Sequence, residues 1–99
     1  MNDVFIIGAA TTTFGKHLTR TFRDLGREVV TAALADAAVG GESVESCYFG
    51  NCGMHAFGQA NIRGQVALRP MLADGTLPER VAIRNIEGAC ATGSLTLEA

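Results

Sequence analysis

Apolar and polar positions along this chain predict three strand-then-helix units. Val4-Phe5-Ile6-Ile7 is a short unbroken apolar run stopped by Gly8, the pattern of a strand buried on both faces, as in a parallel sheet. Residues 9–16 follow as a loop. Thr21 with Asp24 three positions on has the form of a capping box. Phe22, Leu25, Val29, Ala33 and Ala37 then recur at helical spacing, and the helix should run to about Val39, where Gly40-Gly41 stops it. Residues 44–49 alternate, with Val44, Ser46 and Tyr48 on one face and Glu45, Cys47 and Phe49 on the other, until Gly50-Asn51-Cys52-Gly53 breaks the strand. Residues 57–72 read as a second helix, packing through Ile62, Val66 and Leu68 or Arg69 and ending near Pro70 or just beyond it. A turn over residues 75–80, containing Pro78, leads to a third extended run, Val81-Ala82-Ile83-Arg84-Asn85-Ile86. Leu95-Thr96-Leu97-Glu98-Ala99 then begins a helix. The expected fold is α/β, in the order βαβαβα, and right-handed crossovers place the strands in one mainly parallel sheet.

The chemistry of the chain concentrates at the end of that third unit. Gly88 leads to Cys90, which is followed by small and hydroxylated residues and then the helix, so a thiol is expected at a helix start. Unpaired N–H groups and the positive end of the helix dipole favour an anion there, which makes the thiolate, the nucleophilic form, the expected one. Gly88, Ala89, Ala91 and Gly93 add little bulk, so a substrate carbonyl has room to approach the sulfur and nearby N–H groups to bind an oxyanion. The competing reading, a buried core cysteine, is the common fate of a free thiol. It fits Cys47 better than Cys90. Cys52 sits in a glycine turn. His55 is rejected as a base, since a loop histidine is more often solvated. Lys16, His17, Arg20, Arg23 and Arg27 cluster near the first helix and are read as a solvated face rather than a phosphate site.

Composition narrows the picture. The 99 residues make one small domain, and at 47% hydrophobic it carries more apolar surface than such a chain hides alone. It is therefore expected to pack against more protein, either the rest of a longer polypeptide or a partner subunit. Eight basic and ten acidic side chains give a net charge of −2, too balanced for a nucleic-acid partner. No run approaches the roughly 20 apolar residues that span a bilayer. Three cysteines cannot all pair, their spacing fits no zinc site, and the start Met-Asn-Asp lacks the basic region of a secretion signal, so a reducing, cytoplasmic setting is expected.

Three segments in order carry a family resemblance: FIIGAATTTFGKH at the start, YFGNCGMHAFGQANIRGQVAL in the middle and IEGACATGSLTLEA at the end. They resemble the thiolases, particularly the sterol-carrier-protein-2-like and archaeal acetyl-CoA acetyltransferase types. Ketoacyl synthases carry a similar cysteine stretch, but the three segments together favour thiolase. The resemblance implies a thiolase-like N-terminal half over residues 1–99, incomplete in this chain. It implies that Cys90 is the nucleophile of an acyl-cysteine intermediate, its backbone N–H donating to the oxyanion. The reaction would be Claisen condensation of acyl-CoA thioesters, or thiolytic cleavage of a 3-oxoacyl-CoA. Coenzyme A carries the substrate, and no metal, redox or covalently bound cofactor is implied. It also implies a homodimer or higher oligomer formed through the strand 81–87, where Arg84 and Asn85 would suit an interface. The family's activating histidine, its other oxyanion motif and its Cys-x-Gly acid/base cysteine have no match here, so the chain is expected to supply the nucleophile but not the base. The alternatives are a ketoacyl or hydroxymethylglutaryl synthase, or a non-catalytic thiolase-like subunit.

Overall fold

Helix α1 (Phe22–Ala37) starts where its capping box predicts. The Thr21 hydroxyl accepts from the Asp24 N–H at 3.1 Å, and the Asp24 carboxylate accepts from the Thr21 N–H at 2.8 Å. The helix ends on Ala38 in the left-handed conformation (φ 56°), before the two glycines, with the Val39 N–H bonded to the Leu34 carbonyl. In this computed structural model, which describes residues 2–99, there follow β1 (Ser46–Gly50), α2 (Arg63–Ala73), β2 (Ala82–Ile86) and α3 (Thr92–Glu98), with short 3₁₀ turns at Gly41–Ser43, Met54–Phe57 and Ala89–Ala91.

β1 and β2 pair in parallel with Ser46 opposite Ala82 and Gly50 opposite Ile86, so the α/β class and the parallel pairing expected from the sequence both hold. Cys47 and Phe49 turn inward and Ser46 and Tyr48 outward, as the alternation predicts. Leu68, Met71 and Leu77 form the buried centre, with Val30, Val44, Cys47, Leu72 and Ile83 packed against it. α2 lies so close to the sheet that a Cβ on Gly64 would stand 2.7 Å from the Phe49 Cβ and 2.8 Å from the Asn85 Oδ1.

Two expected elements come out differently. Residues 4–7 form no strand, so the order among the described residues is αβαβα rather than βαβαβα. A strand needs a neighbour to take its backbone bonds. This segment instead lies along α1, where the Ala9 N–H donates to the Asp36 carboxylate at 3.0 Å and Gly8 abuts Ala33 and Ala37. Its side chains stay largely open to solvent, Val4 being 92% and Phe5 76% exposed.

The helix expected over residues 57–72 is a 3₁₀ turn and a shorter α-helix, separated by left-handed Gly58 (φ 92°) and Ile62 (φ 43°). Its buried face is Gly64, Ala67, Leu68 and Met71, and Ile62 is exposed. Pro70 lies inside the helix, which ends at Ala73, just beyond the proline as expected. Proline has no N–H for the carbonyl four residues earlier, which belongs to Val66. The Arg23 Nε of α1 donates to that carbonyl at 3.1 Å, so the neighbouring helix satisfies the group that proline leaves free.

Candidate active site

Both strands end at the same edge of the sheet, and the chain segments of interest leave from there. Beyond β1, the Asn51 N–H donates to the Ile86 carbonyl at 3.1 Å, while the Asn51 side chain accepts from the Gly53 and Met54 N–H groups at 3.0 and 2.8 Å. This holds the turn that carries the exposed Cys52. Beyond β2, Glu87 and Gly88 lead to the 3₁₀ turn Ala89–Ala91, with Cys90 at its middle, and α3 follows directly.

Cys90 is thus just before the helix, in a tighter turn than the first α-helical turn expected, and it is exposed. Left-handed Ala89 (φ 50°) turns the chain there. The Ala89 N–H donates to the Glu87 carboxylate at 2.6 Å, and the Ala91 N–H to the Gly88 carbonyl at 3.0 Å. The Thr92 hydroxyl, in the one buried polar residue of the described chain, accepts from the Gly88 N–H at 3.0 Å and donates to the Ala89 carbonyl at 2.7 Å. Among the described residues no side chain hydrogen-bonds to the thiol, and the His17 ring is engaged with the Thr13 carbonyl at 2.8 Å. Gly93 faces open space. Gly88 does not, since a Cβ there would run into the Leu95 side chain, so its small size admits Leu95 rather than a substrate.

The other sequence candidates separate cleanly. Cys47 packs against the core, and burial pushes its thiol up from the ordinary value of 9.0. The basic cluster is largely engaged in holding the structure together. Arg20 pairs with Glu28 at 2.8 Å, Arg27 with Asp74 at 2.7 Å, and Arg23 serves the Val66 carbonyl. Gln59 of the Gly-Gln-x-Asn segment donates to the Asn61 carbonyl at 2.6 Å and so fixes its own loop.

Beside the site, sequence reasoning assigned Asn85 to an interface and missed its role as a cap, and it missed Arg63 altogether. Asn85 Oδ1 accepts from the Gly64 N–H at 2.6 Å and Asn85 Nδ2 donates to Gln65 Oε1 at 2.7 Å. α2 has no side-chain cap of its own, because Ile62 occupies the N-cap, so an asparagine from the strand caps it. Arg63 donates to the carbonyls of Asn51 (2.6 Å) and Ala60 (3.0 Å), tying α2 to the end of β1. The available signal was a polar side chain inside an apolar strand. Asn51, Arg63, Asn85 and Glu87 border a cavity of about 220 Å³ beside the strand ends.

A family model described as "Thiolase, N-terminal domain" matches residues 4–99. The chain belongs to the thiolase family. Two curated relatives are both named "Acetyl-CoA acetyltransferase". The protein from Methanocaldococcus jannaschii is 33% identical over 97 residues, and that from Methanothermobacter thermautotrophicus 32% over 97. Each comparison covers 98% of this thiolase chain and 24% of the relative, so the chain spans about a quarter of the length of these curated relatives. The names of these relatives agree with the acetyl-CoA acetyltransferase resemblance of the three sequence segments. Among the described residues of this thiolase no helix is long and apolar enough to cross a membrane, and no group of three His, Cys, Asp or Glu side chains is placed to hold a metal ion.

Proposed function

We propose that this thiolase chain supplies the nucleophile of an acyltransferase acting on acyl-CoA thioesters. The Cys90 sulfur attacks the thioester carbonyl, the carbon–sulfur bond to coenzyme A breaks, and coenzyme A leaves with a proton while the acyl group stays on Cys90. A base outside this chain then removes the α-proton of a second acyl-CoA. The resulting carbanion attacks the acyl-cysteine carbonyl and releases the Cys90 thiolate. In the reverse direction coenzyme A cleaves a 3-oxoacyl-CoA. Backbone N–H groups around Cys90 serve the oxyanion.

One observation carries this reading: in a chain of this family, Cys90 lies exposed beyond the carboxyl ends of parallel strands, on a turn between β2 and α3. Open α/β sheets bind ligands at that edge. The names of the two archaeal relatives support acetyl-CoA as a substrate, and within the family we favour the sterol-carrier-protein-2-like type. Further protein is proposed to cover Phe14, Leu18 and Leu97, which are 93%, 88% and 78% exposed. The strand 81–87 is proposed to join two copies. β2 pairs with β1 alone among the described residues, leaving its other edge free. Arg84 lies over the Tyr48 ring (5.8 Å to the centroid) on the outer face, while Asn85 is already engaged with α2.

The test is to incubate the complete assembly with acetyl-CoA and map acetylation by peptide mass spectrometry. A thioester on the peptide containing Cys90, lost in Cys90→Ala together with turnover, is the expected result. Unchanged turnover in Cys90→Ala refutes the assignment. Sedimentation as a strict monomer refutes the dimer.

A further inference from the structure

We infer that Thr92 is a positioning residue for Cys90: its buried hydroxyl staples the turn that presents the thiol. This inference rests on the reading of Cys90 as nucleophile. Thr92 is 8% exposed, and its hydroxyl reaches backwards rather than along its own helix. It takes the Gly88 N–H (3.0 Å) and gives to the Ala89 carbonyl (2.7 Å), so one oxygen closes both ends of the segment that enters the Cys90 turn. That segment needs closing, because Ala89 sits at φ 50°, a conformation that is sterically costly for alanine and persists only where the surroundings impose it. The Glu87 carboxylate holds the remaining donor, the Ala89 N–H, at 2.6 Å.

The staple requires one atom that donates and accepts at once. Threonine and serine offer that; valine has threonine's shape without it. Removing the hydroxyl leaves the Gly88 N–H without its partner and Ala89 free to relax to negative φ, which swings the Cys90 Cα and the thiol with it. The hydroxyl does not touch the reacting atoms, so substrate binding should be preserved while the attack geometry is lost.

The experiment compares Thr92→Val, Thr92→Ser and Cys90→Ala in the complete assembly by steady-state acyl transfer from acetyl-CoA, with thermal unfolding by circular dichroism as the check on folding. A misplacement of order an ångström costs about 100-fold in rate, so Thr92→Val is expected to lower kcat by about 10- to 100-fold with KM within about twofold, and Thr92→Ser to recover kcat to within about threefold. If Cys90→Ala abolishes turnover and Thr92→Val keeps kcat within about twofold, or Thr92→Ser is as slow as Thr92→Val, the positioning role is overturned while the nucleophile stands. If Cys90→Ala leaves turnover unchanged, the nucleophile assignment fails and the positioning role with it. Should Thr92→Val not fold, Glu87→Ala at an exposed position decides. A kcat loss of about threefold or more at constant KM supports the staple, and unchanged kcat overturns it.

Discussion

Replacing Asn85 should unfasten α2 from the sheet, and the size of the effect follows from the bonds it makes. Asn85 stands in β2, 21 residues from the Gly64 N–H that its Oδ1 accepts at 2.6 Å, and its Nδ2 holds Gln65 at 2.7 Å. Asn85→Ala removes the only side-chain acceptor at the start of α2 among the described residues, a change worth about 0.5–2 kcal/mol for ordinary N-caps. Gly64 is buried, so its N–H is left without water as a substitute, which moves the cost toward the upper end; the exposed bond to Gln65 adds about 0.5 kcal/mol. A total of about 2–3 kcal/mol corresponds to a fall in Tm of roughly 10–20 °C for a domain of this size. Asn85→Asp keeps the acceptor and places a negative charge at the positive end of the α2 dipole, so it should recover most of the loss despite losing the donor to Gln65. Thermal unfolding followed by circular dichroism reads both variants. A Tm within about 2 °C of wild type for Asn85→Ala, or an Asn85→Asp variant as unstable as Asn85→Ala, refutes the cap.

Three further expectations follow from the packing and the charges. Gly64→Ala brings a Cβ within 2.9 Å of the Ile83 Cγ2 as well as against Phe49 and Asn85, so overpacking should outweigh alanine's better helix propensity and cost about 1–3 kcal/mol net in a urea titration. Ala38→Gly removes the steric cost of φ 56° at the end of α1 and should stabilise by about 1 kcal/mol, read as a raised Tm. Asp74, held at about 2 chiefly by hydrogen bonds from the Thr76 side chain and backbone, with Arg27 also bonded, has a folded value below its ordinary 3.8. Its contribution is therefore present above about pH 4 and lost as the pH falls towards 2. Thr76→Ala should flatten the acid limb of a stability-against-pH curve over that window, and an unchanged limb would show that the carboxylate contributes nothing.

What the sequence determined by itself was local or periodic. The Thr21–Asp24 capping box lies within one turn, so its bonds could be read from four consecutive residues, and they form as read. The inward set Cys47 and Phe49 followed from a period of two, because a pleated strand leaves no other choice. The small-residue run around Cys90 marked the candidate site for the same reason, as a feature of adjacent positions.

Tertiary structure decided whatever depends on a distant partner. Residues 4–7 have the composition of a strand, but pairing needs a neighbour, and among the described residues the segment lies on α1 instead. The start of α2 is set by left-handed Gly58 and Ile62 and by a cap from Asn85, a residue that reads from sequence as a candidate for an interface. Pro70 stays within its helix because Arg23, 43 positions from Val66, takes the orphaned carbonyl. The staple at Thr92 reaches only four residues back, yet it depends on burial and on the sign of φ at Ala89, and neither is written in residue type. Hydrogen bonds that cross between elements carry no period, so sequence pattern names the donors and acceptors and only the packed chain says which of them meet.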